Sequence, residues 1–208
     1  MDKKLDRKLA AILYADVAGY SRLTGDDEEG THHRLSHCLD LIAETIKNHD
    51  GNVVHYAGDA VLADFSTVSN ALACAVEIQQ QLRKQNADLP EDRRVEFRIG
   101  LNLGEVIVDR GDIYGDGVNV AARLENLADE GGICISESVR TAIGKKLDLG
   151  YESMGEQRVK NIAAPVRAYR VLLDSSKAQA TSSETVSLEL PDKPSIAVLP
   201  FTNMSGDS

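Results

Sequence analysis

Two aspartates have surroundings that suit them to metal chemistry, because each lies in a glycine-containing turn beside an apolar run. Asp16 follows the apolar stretch 9–14 and precedes Gly19, and Asp59 directly follows Gly58 between two strand-like segments. A charge beside a buried strand is costly unless something neutralises it. Two such carboxylates are what a pair of hard divalent cations needs to bind a polyphosphate. The pattern therefore predicts nucleotide chemistry, and local capping of the turn is the alternative for each aspartate taken singly.

A third segment, residues 112–124, places polar side chains before and along a predicted helix. Asn119 and Arg123 are four residues apart and so share one helix face. Arg123 can hold a phosphoryl oxygen, and Asn119 can fix a ribose oxygen. Asp112 precedes the helix and is an acceptor suited to an exocyclic amine. A solvated helix face is the alternative interpretation of the Asn119 and Arg123 pair.

The elements that must position these side chains follow from apolar periodicity and turn residues. The pattern predicts strands at 9–14, 53–56, 60–65, 95–103, 133–136, 151–159 and 168–172. It predicts helices at 26–48, 69–84 and 118–127, and a small helix that Ser136 caps and that ends at 143. The strand at 95–103 is expected to turn at Gly104 and continue at 105–109, and residues 111–117 are expected to form a loop. The order βαββαβ predicts an α+β fold with a ferredoxin-like sheet, further C-terminal elements and helices on one face. In such a sheet the strands beside Asp16 and Asp59 are neighbours, so both carboxylates could reach one metal site.

Composition limits the classes of function. The 208 residues are 42% hydrophobic, which is enough for one domain with a core and a tail. The net charge of −10 argues against a nucleic-acid-binding surface. Three cysteines without paired spacing suggest a reducing compartment, and no apolar run approaches the roughly 20 residues of a membrane helix. We therefore expect a cytoplasmic protein that does not insert into a membrane.

Residues 9–172 resemble the catalytic domain of class III nucleotidyl cyclases in several separated motifs. The resemblance implies a ferredoxin-like α+β domain that works as a head-to-tail homodimer with its sites at the dimer interface. Asp16 and Asp59 match the two aspartates that hold two divalent cations, Mg²⁺ or Mn²⁺, in this family. Val17 would lend its backbone carbonyl to a metal.

The same resemblance implies roles for the remaining candidate residues. Asp112 matches the position that accepts a hydrogen bond from the purine amine, and Asn119 and Arg123 match the transition-state pair. Lys160 matches a triphosphate-binding lysine, and Arg98 matches a second phosphate-contacting position. Asp16, Asp59 and Arg98 would come from one subunit. The partner would supply the remaining side chains, which are His55, Asp112, Asn119, Arg123 and Lys160.

One position departs from the family pattern, because the purine-selecting lysine falls on His55. Neutral imidazole can donate one hydrogen bond, to adenine N1 or to guanine O6. Asp112 would accept from adenine N6 and repel guanine O6, so ATP remains the favoured substrate. His55 can loosen this selection or make it sensitive to pH; a half-buried strand residue without a role is the alternative.

The expected activity is that of an adenylate cyclase, which converts ATP to 3′,5′-cyclic AMP and pyrophosphate in cyclic-nucleotide signalling. Guanylate cyclase activity and non-catalytic nucleotide sensing are the alternatives.

The C-terminal part of the chain differs in character from the rest. Residues 175–192 are rich in Ser, Thr, Ala and Glu without an apolar period, which predicts a linker after a catalytic domain at 1–174. Residues 193–208 begin with a strand-like run that has no partner left, and they resemble the start of a TolB-like segment. This implies a second domain with a regulatory or interaction role in a longer natural chain. A strand that returns to the first sheet is the alternative.

Overall fold

Eight strands form one mixed sheet, and helices cover both of its faces. The structure is a computed structural model, and it describes residues 5–158 and 165–173. The strands are β1 (Asp6–Val17), β2 (Gly51–Ala57), β3 (Ala60–Phe65), β4 (Phe97–Asp109), β5 (Asp112–Tyr114), β6 (Ile133–Ser136), β7 (Gly150–Gln157) and β8 (Val166–Leu172). The helices are α1 (Tyr20–Asp26), α2 (Glu28–Asn48), α3 (Val68–Asn86), α4 (Asp116–Leu127) and α5 (Glu137–Ile143), with a 3₁₀ turn at Glu91–Arg93.

The strand order is β2-β3-β1-β4-β6-β8-β7, and β5 pairs with β4. Along the chain, β1 to β4 with the intervening helices α2 and α3 reproduce the ferredoxin-like βαββαβ unit. The predicted α+β fold class is therefore confirmed. β1 lies between β3 and β4 and is antiparallel to both. Because a strand in this position is buried on both faces, its apolar residues run almost without interruption.

The larger core lies on one face of the sheet, beneath α2, α3 and α5. Alternate residues of β1, such as Leu13 and Ala15, contact this core, together with buried residues of α2 such as Ile42 and Ile46. The N-cap Asp27 of α2 accepts a hydrogen bond from the amide of Gly30, and Thr67 caps α3 in the same way. These caps and the amphipathic faces explain why both helices form close to where the sequence predicts them.

α2 and α3, the helices of the βαββαβ unit, share one face as expected, whereas α4, which follows that unit, lies on the opposite face of the sheet. The intervening residues of β1, such as Ile12, contact the smaller core that includes Ala121 of α4. Gly100 of β4 makes this approach possible, since a Cβ atom there would lie 2.1 Å from the Ala121 carbonyl oxygen and 2.3 Å from the Glu125 amide nitrogen. α4 therefore packs with its backbone directly against the sheet.

Two local predictions were wrong. β4 does not turn at Gly104 but runs through it, because Gly104 pairs with Ala10 and the β1–β4 ladder continues to Val108. Residues 112–114, predicted to be part of a loop, form β5 and pair with the end of β4. The short helix α1 was not predicted; it begins after Gly19, whose left-handed backbone (φ 68°) turns the chain away from β1.

Several predictions fall on residues that the structure does not describe. The linker at 175–192 and the TolB-like segment at 193–208 lie outside the described residues, as does Lys160. These remain predictions. Within the described ranges, no helix is both long enough and apolar enough to cross a membrane.

Candidate active site

Asp16 and Asp59 lie at the same end of two neighbouring strands. Ala15 of β1 pairs with Val61 of β3, so Asp16 continues β1 towards the hairpin tip on which Asp59 precedes β3. Gly58 forms that tip with a left-handed backbone (φ 67°). Burial, and then the nearby charge of Asp59, raise the pKa of Asp16 above its ordinary value. The predicted proximity of the two carboxylates is therefore confirmed.

The donor set at this end of the sheet fits hard cations. Aspartate and backbone carbonyl oxygens are the ligands that Mg²⁺ and Mn²⁺ prefer. The repulsion that raises the Asp16 pKa is the interaction that a bound cation would relieve. Within residues 5–158 and 165–173, no three His, Cys, Asp or Glu side chains could hold a metal ion together. The site offers two carboxylates, and further ligands would have to come from the backbone and a nucleotide.

The backbone around Asp16 is held in place by hydrogen bonds. The amide of Val17 donates to Asp16 Oδ1 at 2.9 Å, and the amide of Ala18 donates to the Glu96 carbonyl at 2.8 Å. Val17 is buried at the end of β1. The structure thus places Val17 beside the aspartates, and the role of its carbonyl oxygen stays a prediction.

Arg98 lies beside the two aspartates, on the strand next to β1. It pairs with Asp16 in the β1–β4 ladder, and its positive charge offsets part of the rise in the pKa of that carboxyl that burial and Asp59 cause. Its Nη2 atom is 3.6 Å from Glu130 Oε1, while its Nε atom is buried without a hydrogen-bond partner among the described residues. An arginine with an unsatisfied N–H donor beside carboxylates can donate a hydrogen bond to a phosphate oxygen.

His55 and Asp112 form a second pair. His55 Nδ1 lies 2.9 Å from Asp112 Oδ1, which joins β2 to β5. The same carboxylate oxygen accepts a hydrogen bond of 2.7 Å from the Ile113 amide. Burial alone would raise the pKa of Asp112, but the hydrogen bonds from Ile113, His55 and Tyr114 outweigh it, and the pKa lies below its ordinary value. The structure thus brings together the two residues that were expected to contact the purine.

Asn119 and Arg123 are both exposed on α4. No hydrogen bond or ion pair within the described part of the chain holds either side chain. The inward face of α4 is formed instead by small and apolar residues, with Gly117, Ala121 and Leu124 among those that are buried. The predicted pair is therefore free to contact a molecule outside its own chain.

Glu125 is a buried acid that the sequence pattern did not predict. It is 3% exposed on the inward face of α4, and Asn126 Nδ2 donates to its Oε2 at 2.8 Å. Burial, and then the charge of Asp16, raise its pKa to about 7, although Arg98 opposes this. The signal available in the sequence was that Glu125 lies four residues after Ala121 and so shares its inward helix face, opposite to Arg123. The carboxyl of Glu125 therefore lies close enough to Asp16 and Asp59 to interact with their charges.

Comparison with known proteins places this site in a family. Residues 4–173 match the family described as the adenylate and guanylate cyclase catalytic domain, and the chain belongs to it. A Rhizobium meliloti protein named "Putative adenylate cyclase 3" is 43% identical over 210 residues, which is 99% of this chain. The chain spans 35% of the length of that relative.

Solved structures agree with the fold. A Silicibacter pomeroyi protein described as an adenylate/guanylate cyclase/hydrolase is 40% identical, with a TM-score of 0.77 over 82% of this chain and 100% of its own. The guanylyl cyclase Cya2 is 26% identical, with a TM-score of 0.70 over 80% of this chain and 93% of its own. The adenylyl cyclase CyaB from P. aeruginosa has the same fold, with a TM-score of 0.73 at 22% identity over 85% of this chain and 99% of its own.

Proposed function

We propose that this domain is an adenylate cyclase that converts ATP to 3′,5′-cyclic AMP and pyrophosphate. The observation that carries the proposal is the meeting of Asp16 and Asp59 at one end of β1 and β3, in a chain of the cyclase family. The ATP 3′-oxygen would form a bond to the α-phosphorus while the bond to pyrophosphate breaks. The hydroxyl proton would leave to solvent, since no side chain is assigned as its base.

Asp16, Asp59 and the Val17 carbonyl would hold two divalent cations. When bound, such cations supply Lewis acidity, which lowers the pKa of the 3′-hydroxyl and neutralises triphosphate charge. Arg98 would position the triphosphate through its unsatisfied Nε–H. Lys160, matched by resemblance alone, would contact the triphosphate as well.

The complete site would require two copies of the chain. Asn119 and Arg123 project from α4 without intramolecular partners among the described residues, which supports a role across an interface. In a head-to-tail homodimer these residues, with His55, Asp112 and Lys160, would face Asp16, Asp59 and Arg98 of the other subunit. C₂ symmetry then generates two equivalent sites. Arg123 would stabilise the charge that develops on the α-phosphoryl oxygens.

ATP is the proposed substrate because Asp112 is an ionised acceptor, suited to the adenine N6 amine and repulsive to guanine O6. The name of the Rhizobium meliloti relative supports this choice. Guanylate cyclase activity remains the alternative, and the specific observation in its favour is His55 in place of lysine. A larger protein, with a regulatory C-terminal domain, is proposed from the length of the relatives.

A product assay tests the proposal. The protein would receive equal ATP and GTP with Mn²⁺ and then with Mg²⁺, and cyclic products would be separated by mass-resolved chromatography. Asp59→Asn is expected to abolish cyclic AMP because it removes a metal-binding charge. Asp88→Asn, at an exposed position in the loop after α3, is the matched control and should retain activity. Persistence of cyclic AMP in Asp59→Asn would contradict the assignment.

A further inference from the structure

The hydrogen bond between His55 and Asp112 determines which ring nitrogen of the histidine carries a proton. An ionised carboxylate can only accept hydrogen bonds. Asp112 is ionised, since its pKa lies below the ordinary value. His55 Nδ1, at 2.9 Å from Asp112 Oδ1, must therefore be the donor.

The remaining nitrogen of His55 then has two possible states. A neutral imidazole has a single N–H, and in this pair Asp112 takes it, so Nε2 is left as an acceptor. This differs from the expectation that neutral His55 could donate to the purine. An imidazolium ring has a second N–H, and its Nε2 becomes a donor. Protonation thus reverses the hydrogen-bonding character of the atom that points away from Asp112.

The two states match different purine edges. A donor beside the Asp112 acceptor complements adenine, which offers N1 as an acceptor and the N6 amine as a donor. Two acceptors side by side still repel guanine O6, but they complement a guanine placed so that its N1–H and N2 amine face them as donors. We propose that the protonation state of His55 selects the purine, with the imidazolium favouring ATP and the neutral ring favouring GTP. This inference rests on the proposed cyclase function and concerns the specificity of its nucleotide site.

Among the described residues, the groups around the His55–Asp112 pair are an apolar side chain, two tyrosines and one ion pair. On β3 the apolar Leu62 pairs with His55, and Leu62 also pairs with Tyr14 of β1. Burial raises the pKa of Tyr14. On β5 the Tyr114 hydroxyl bonds to Asp112, and its pKa is raised too. Two residues from Leu62 along β3, Asp64 forms an ion pair with Lys8 and also accepts a hydrogen bond from Asn52.

The test is the ratio of kcat/KM for ATP to that for GTP between pH 6 and 8.5. If each purine requires a different protonation state, this ratio falls by about tenfold per pH unit in the wild-type protein. Both nucleotides carry the same triphosphate and use the same metal site, so titration of those groups cancels in the ratio. A ratio that does not change with pH would overturn the inference.

Matched variants locate the effect. His55→Lys supplies a permanent donor and is expected to favour ATP at every pH, with a flat ratio. His55→Gln cannot titrate and should also give a flat ratio. His49→Gln removes another imidazole, one that pairs with Glu77 at 2.8 Å beside α3, and should retain the wild-type slope. A pH-dependent ratio in His55→Lys would refute the assignment to His55.

Two further measurements separate this inference from the proposed function. Nitrogen–proton correlation spectra of the nucleotide-free protein should show neutral His55 protonated on Nδ1; a proton on Nε2 would refute the inference whether or not the domain is active. Dissociation constants for non-cyclisable ATP and GTP analogues should show the same pH-dependent ratio. If that ratio shifts with pH but no cyclic product forms, the proposed function fails and the inference stands. If cyclic product forms at a constant ratio, the inference fails and the proposed function stands.

Discussion

Replacing Glu125 with glutamine is expected to stabilise the metal-free protein at alkaline pH and to have little effect at acidic pH. Glu125 is 3% exposed, and burial with the charge of Asp16 raises its pKa from 4.5 to about 7. Between these two values the folded protein holds a proton that the unfolded chain has released. The free energy of unfolding therefore falls as the pH rises through this window.

The magnitude follows from the two pKa values. At about 1.4 kcal/mol per pKa unit, the difference between 4.5 and about 7 corresponds to about 3 kcal/mol above pH 7. Glutamine keeps the volume of the side chain and an oxygen for Asn126, but it carries no charge to bury. The variant should thus be about 3 kcal/mol more stable than the wild type at pH 8, and within about 1 kcal/mol of it at pH 5.

Urea unfolding in EDTA at pH 5 and pH 8 measures both values. Glu44→Gln, at an exposed position of α2, is the control and should change stability by less than about 0.5 kcal/mol at either pH. Addition of Mg²⁺ at pH 8 should reduce the advantage of Glu125→Gln, since the cations would neutralise Asp16 and Asp59. An equal effect of Glu125→Gln at both pH values would refute the electrostatic argument.

Three further outcomes are expected. Inactive Asp59→Ala and Arg123→Ala proteins, mixed in equal amounts and allowed to exchange subunits, should regain about a quarter of wild-type cyclase activity. Half of the dimers are then heterodimers, and each heterodimer holds one intact site out of two. Absence of rescue in confirmed heterodimers would contradict shared sites. Gly100→Ala should unfold at a urea concentration equivalent to a loss of more than about 2 kcal/mol, because its Cβ would meet the backbone of α4, whereas Gly25→Ala, with open space around it, should not. The buried cysteines should resist thiol reagents at pH 8 until the protein unfolds, since burial raises their pKa to about 11 or 12; labelling of the native protein would contradict this for Cys38, Cys74 and Cys134.

Local patterns in the sequence were sufficient for most of the elements and for the proximity of Asp16 and Asp59. The apolar run before Asp16 and the Gly58-Asp59 tip predicted a strand and a hairpin, and both were confirmed. Their proximity followed from the βαββαβ order, because that order makes the two strands neighbours. The prediction that failed nearby, a turn at Gly104, treated a glycine as a breaker although β1 paired across it.

Other features of the site required the tertiary structure. His55 and Asp112 are 57 residues apart, and only the packing of β5 beside β2 brings Nδ1 to the carboxylate and so sets the state of Nε2. Glu125 reads in the sequence as an ordinary helical acid. Its burial follows from the close approach of α4 to the sheet at Gly100, on the face opposite to α2 and α3. The sequence by itself determined which residue types were present and, for most segments, whether the segment forms a strand or a helix. The tertiary structure decided their charges and hydrogen bonds, because desolvation and donor geometry depend on what distant segments bring into contact.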